Sequence, residues 1–254
     1  MNLLTLADGF GDSIAVPSWY PKYYKWPKII ELMTRGLIVN NLSRYGAGNE
    51  YLVNALRQNI KSSDVVLLQW AMPNRLDLML TGHIRPWQKT IATDPIYYDN
   101  IIKLGDHDFW LSSASKLPEV QEYHRTYISI SQHQLRSQLF IDYAKLLIDQ
   151  HQVEYRFMLT WDSLYLANKV ADDINWSCHQ PLKGMHDFRN HSEFSELDLG
   201  ITQPIPLIHY DFIRKFIMPH LDLPWRSDRE LAAVESMLYR NYQESIPNKP
   251  NDSN

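Results

Sequence analysis

The sequence predicts a three-layer α/β/α domain on a central parallel sheet, and three observations predict it. Short apolar runs recur at Asn2–Ala7, Leu37–Val39 and Val65–Gln69; helical apolar periods separate them; turn formers stand at the junctions. Strand, helix, strand, helix, strand in that order implies right-handed crossovers and therefore parallel neighbours.

Asn2–Ala7 is bounded by Asp8-Gly9 and Gly11-Asp12, the pattern of a buried first strand running into a turn. Lys28–Met33 reads as a helix with Pro27 suited to its first turn. Gly36 closes it, and Leu37-Ile38-Val39 opens a second buried strand that ends at Asn40-Asn41 and the turn Tyr45-Gly46-Ala47-Gly48. Asn49 is placed to cap a helix through Tyr51, Leu52, Ala55, Leu56 and Ile60. Val65–Gln69 is nearly all apolar, as a strand covered on both faces should be.

From 71 to 118 the pattern is irregular, with turn signals at Gly82, Pro86, Asp94-Pro95, Gly105-Asp106 and Pro118, and reads as a long insertion after the third strand. Glu119–Gln150 carries apolar residues at Val120, Tyr123, Tyr127, Ile130, Leu135, Leu139, Tyr143, Leu146 and Leu147, an amphipathic helix with a kink near Ser129–Gln134. Tyr155–Leu159 follows as a fourth strand. Residues 176–203 show no period, His209–Leu221 and Asp228–Tyr242 are the closing helices, and 247–254 is a frayed tail. With 254 residues, 44% of them hydrophobic, one domain over 1–246 is expected.

Several function classes lose support. The net charge is −4 and basic residues such as Lys22, Lys25, Lys28, Arg35 and Arg44 stand singly, so no nucleic-acid partner is expected. No apolar run approaches the roughly 20 residues that cross a bilayer. Cys178 is alone and Met1 is followed at once by an apolar strand, so a reducing, cytoplasmic compartment is expected. The histidines at 83, 107, 124, 133, 151, 179 and 220 lack metal-ligand spacing, and Asp106-His107-Asp108 reads as a solvated turn rather than a cation site. No phosphate-binding glycine loop is present, so no cofactor is expected.

In a doubly wound sheet ligands gather at the carboxyl ends of the strands. The loops there read Gly11-Asp12-Ser13, Asn41-Leu42-Ser43-Arg44-Tyr45-Gly46 and Trp70-Ala71-Met72-Pro73-Asn74-Arg75. Their order and spacing resemble the first three sequence blocks of the SGNH (GDSL-type) hydrolases, a family with a flavodoxin-like sheet. The wording Asn-x-x-x-x-Gly-x-x-Asn and Gln-Trp-x-x-Pro-x-Arg is closest to uncharacterised SGNH-like proteins of bacteriophages and marine microbes, and adds a virion as a second expected location.

The resemblance implies that Ser13 is the nucleophile toward an acyl carbonyl. The oxyanion would then be held by the Ser13 and Gly46 backbone N–H groups and the Asn74 side chain. A second alignment stays open, in which Ala7-Asp8-Gly9 occupies the Gly-Asp-Ser place. Asp12, Asn49, Trp70, Trp19 and Tyr20 are the candidate substrate contacts, the aromatic residues forming a rim for a small-molecule or glycan ester. The fourth block departs from the family. Where it carries Asp-x-x-His, this chain has Gly200-Ile201-Thr202-Gln203, and neither Gly200 nor Gln203 can take a proton from a hydroxyl. His186 and His191, just before this block, are the imidazoles that could replace the lost base, whereas the resemblance gives His209 a structural position at a helix start. Two functions therefore follow: a carbohydrate ester hydrolase by resemblance, or an inactive relative that binds a glycan or serves a structural role.

Overall fold

The computed structural model of the chain describes residues 1–8, 11, 20, 23–44, 46–73, 75, 77–80, 101–104, 107–111, 122, 126, 129–160, 182–197 and 204–246. Within them the strands are β1 (Asn2–Leu6), β2 (Ile38–Asn41), β3 (Val65–Trp70), β4 (Asp77–Leu80), β5 (Ile101–Leu104), β6 (His107–Leu111), β7 (Glu154–Leu159) and β8 (Leu182–Gly184). The helices are α1 (Trp26–Met33), α2 (Asn49–Asn59), α3 (Ile130–His151), α4 (Met185–Phe188), α5 (Pro206–Phe212) and α6 (Asp228–Ser245).

Five strands form an all-parallel sheet in the order β2-β1-β3-β7-β8. β3 lies at its centre, and all of Val65–Trp70 is buried. The alternation of side chains across a strand divides the core in two. Leu3, Val65, Leu67 and Met158 face one cluster with Trp26, Ile29 and Ile30 of α1, Ile208 and Phe212 of α5 and Leu231 and Leu238 of α6. Leu4, Leu6, Val66, Leu68 and Phe157 face the other, with Leu52 and Leu56 of α2 and Ile141 and Ile148 of α3. Helices on both faces of a parallel sheet make the expected three-layer architecture. Each fully buried aliphatic side chain contributes about 1.5–3 kcal/mol, so removing one from either cluster would be felt by the whole domain.

Several expectations need correction. β2 is an edge strand, not a buried one: it pairs with β1 alone and Ile38 is 65% exposed. An apolar trio reads the same whether it lies at the centre or the edge of a sheet. α3 begins at Ile130, where Ser129 takes an extended backbone and its hydroxyl accepts the Gln132 N–H at 3.2 Å. Glu122 and Thr126 before it are also helical, so the expected kink is a full interruption of the helix at Ser129. The predicted face of α3 is also inverted in part, since Leu135, Leu139, Tyr143 and Leu146 are exposed while Ile141, Ala144, Leu147 and Ile148 are buried. Both sides carry apolar residues at helical spacing, and packing on α2 and the sheet selects the second.

The stretch read as irregular contains a three-stranded antiparallel sheet in the order β4-β6-β5. Leu104 pairs with His107 at the end of the β5–β6 ladder. His107 and Asp108 consequently begin a strand and are not a solvated turn. β8, three residues long, falls in the other stretch without a period. The closing segment starts earlier than expected, at Pro206, and continues past Phe212 through a wide helical turn at 213–217 and a tight one at 218–220. α6 is entered through Ser227, whose N–H and hydroxyl both donate to the Glu230 carboxylate, at 2.9 and 2.7 Å. Among the described residues no helix is long and apolar enough to cross a membrane. The tail at 247–254 lies outside them.

Candidate functional site at the carboxyl edge of the sheet

The strand order places β1 between β2 and β3, so the crossover from β1 to β2 and that from β2 to β3 run in opposite directions across the sheet. A crevice opens at the carboxyl ends of strands at such a switch point. The loops after β1, β2 and β3 converge there, and side-chain bonds to backbone fix them.

Pairing of β1 with β2 extends past the strands, with Leu42 N–H donating to Thr5 O and Arg44 N–H to Ala7 O, both at 3.0 Å. Asn41 then joins the two loops. Its Nδ2 donates to Gly11 O at 2.8 Å, while its Oδ1 accepts from Thr5 Oγ1 and Ser43 N, both at 3.1 Å. Gly11 sits so close to Ser43 and Ala7 that a Cβ there would lie 2.4 Å from Ser43 Oγ and 2.8 Å from Ala7 Cβ. Gly11→Ala is therefore expected to lower stability by roughly 1–3 kcal/mol through overpacking, and urea unfolding would measure it. An unchanged midpoint would show that the two loops are not held in contact. Gly46 occupies the left-handed region at φ 83°, which favours glycine and turns the chain toward α2.

The loop after β3 is held from α2. Asn49 was expected to cap that helix, but it is the first helical residue and Gly48 is the N-cap. The Asn49 side chain instead accepts the Ala71 N–H at 3.0 Å and donates to Ser137 Oγ at 3.2 Å. The cap comes from Asp77 on β4. Its carboxylate accepts from Gly48 N at 2.9 Å and Tyr51 N at 2.8 Å. Burial pushes Asp77 up to about 7, against the lowering effect of those N–H bonds; Glu50 adds to the rise and Arg75 opposes it.

Arg75 spans all three loops. Nη2 lies 3.2 Å from Oδ2 of Asp8, which is fully buried just past β1, and Nη1 donates to the Ala47 carbonyl at 3.2 Å. Its own N–H closes a turn on Met72 O at 3.1 Å.

On the opposite face of β3, Trp26 Nε1 donates to Gln69 Oε1 at 2.9 Å. Lys25 and His209 are buried nearby. Burial, reinforced by the Lys25 charge, holds His209 down at about 3. An imidazole so placed is held in its neutral form.

No protein-family model matches the chain, and no curated protein does. Among solved structures, a lipase, Lip_vut3 from goat rumen metagenome, is similar over 95% of this chain and 97% of its own, with 13% identity and a TM-score of 0.34.

Of the predicted site residues, Gly46, Asn49, Trp70 and Tyr20 are described. Gly46 and Asn49 are at the sheet edge. Trp70 and Tyr20 are fully buried, Trp70 packed edge-on against Phe157 with ring centroids 5.2 Å apart and Tyr20 against Tyr23 at the same separation. These two rings serve the core and not an open rim, because chain direction turns them inward. Ser13, Asp12, Asn74, Trp19, Gly200 and Gln203 lie outside the described residues, as does the separation of Ser13 from Gly46 or Gln203. His191 is exposed on the turn at 189–191. Among the described residues no group of three or more His, Cys, Asp or Glu side chains could hold a metal ion. Sequence reasoning missed Asp8, Arg75 and Asp77 as site-building residues. The available signal was a charged residue within a few positions of the carboxyl end of a buried strand, where an uncompensated charge would be costly.

Proposed function

We propose that the chain is an SGNH-like acyl-ester-binding protein with little or no hydrolytic turnover. The reading places an ester carbonyl, such as an O-acetyl group on a carbohydrate, against Ser13, with the loops of Gly46 and Asn74 around its oxygen. The observation that carries it is the joining of the loops after β1, β2 and β3 by Asn41, Asn49 and Arg75 at the switch point. A rigid frame of that kind is what an oxyanion site needs, since donors help only when they are held before charge develops. Weak turnover follows from Gly200 and Gln203 at the family's Asp and His positions.

The test is hydrolysis of p-nitrophenyl acetate and of acetylated oligosaccharides by wild type and Ser13→Ala, with binding of the same oligosaccharides measured in parallel. Background hydrolysis with Ser13-dependent binding supports the proposal. Turnover abolished by Ser13→Ala would establish an active esterase, and absence of both binding and turnover would remove the ester reading.

A further inference from the structure

We infer that Arg75 is the positioning residue of the sheet-edge site, its guanidinium setting the distance between the three loops that would surround the ester. The inference deepens the proposed function and rests on it for the identity of the ligand. Arg75 carries a planar fork of donors, and two of its nitrogens serve different loops: Nη2 the Asp8 carboxylate after β1, Nη1 the Ala47 carbonyl after β2. Its backbone turns the loop after β3 through the bond to Met72 O.

Arg75 and its partner Ala47 both adjoin positions that matter for the ester. Ala47 follows Gly46 directly, and Asn74 precedes Arg75 directly. Asp8 accounts for the choice of a cation: it is fully buried, and a carboxylate removed from water requires a compensating charge. The guanidinium is itself largely shielded, its side chain 16% exposed, so it is held rather than free to swing toward ligand. A lysine could answer the Asp8 charge but has no fork with which to hold the Ala47 carbonyl at the same time.

Amide hydrogen exchange and ligand binding test this together, on wild type, Arg75→Lys and Arg75→Met. In Arg75→Lys the amides of Gly11, Ala47 and Ala71 are expected to exchange at least tenfold faster relative to wild type than those of Val66–Leu68 in β3. Acceleration by one common factor in loops and β3, or no acceleration, would overturn the inference. If Arg75→Met does not fold, Arg75→Lys alone decides. The binding probe is phenylboronic acid. Ser13 Oγ adds to boron to form a tetrahedral adduct, and the hydroxyl proton passes to water. Binding is expected to weaken at least tenfold in Arg75→Lys and to be lost in Ser13→Ala, whereas equal binding by wild type and Arg75→Lys would overturn the positioning role. If wild type and Ser13→Ala bind alike or not at all, the Ser13 reading fails, and the exchange experiment still judges Arg75.

Discussion

The double variant Gly200→Asp/Gln203→His is expected to hydrolyse p-nitrophenyl acetate about 10²–10⁴ times faster than wild type, the range that a positioned general base and acid supplies. The proposed site has a hydroxyl and a frame for the oxyanion, and lacks a group to remove the serine proton and return it to the leaving alcohol. Imidazole at 203 would supply that group. Carboxylate at 200 would fix its tautomer and stabilise the imidazolium. Either substitution alone should do little, because the residues of such a site act as a unit. The decisive control adds Ser13→Ala to the double variant: activity that survives it does not pass through Ser13. No gain in the double variant would mean that 200 and 203 do not approach the nucleophile, and the alignment of the fourth block would fall.

Stability should depend on pH through Asp77. Its carboxyl has an ordinary value of 3.8 and rises to about 7 in the fold, chiefly through burial, with Glu50 adding to the rise and the Gly48 and Tyr51 N–H groups and Arg75 opposing it. Glu50 is itself raised by burial despite its ion pair with Arg136 at 2.8 Å. A group of this kind favours the fold in its protonated form. Its contribution is complete below pH 3.8 and is lost as pH rises through about 7. At about 1.36 kcal/mol per pH unit the full effect is on the order of 4 kcal/mol. Asp77→Asn keeps an oxygen to accept from α2 but cannot ionise, so it should be more stable than wild type at pH 8 and nearly equal to it at pH 4. Urea midpoints for the two proteins between those limits measure the difference directly. A constant gap across the range would show that Asp77 does not titrate there.

β1, β3 and α2 were legible in the sequence because their apolar runs are continuous or strictly periodic and their ends carry turn formers. The parallel, three-layer arrangement followed from their order. The position of β2 at the edge was not legible, since Leu37-Ile38-Val39 has the composition of a central strand and only pairing shows that its far side is open. The buried face of α3 was ambiguous for a related reason: Leu135, Leu139 and Tyr143 keep a helical spacing as regular as that of Ile141, Ala144 and Ile148. At the proposed site, the spacing from Asn41 to Gly46 drew attention to the loop after β2, which Asn41 ties to the loop after β1. The roles of Arg75 and Asp77 could not be read, because each depends on a partner more than 25 positions away: Ala47 and Asp8 for the first, Gly48 and Tyr51 for the second. Asn49 shows the limit of local rules, as its side chain suits an N-cap but is engaged by Ala71 and Ser137.

The bonds that join the three loops are made by Asn41, Asn49, Arg75 and Asp77, none of which is a residue to which the proposed function gives chemistry. Scaffold and reactivity are thus written in different letters of the sequence. Under the proposed reading, exchanges at 13, 200 and 203 would leave these joining bonds untouched, so catalysis could be abandoned, kept in reserve or regained over evolutionary time while the shape that receives a ligand persists.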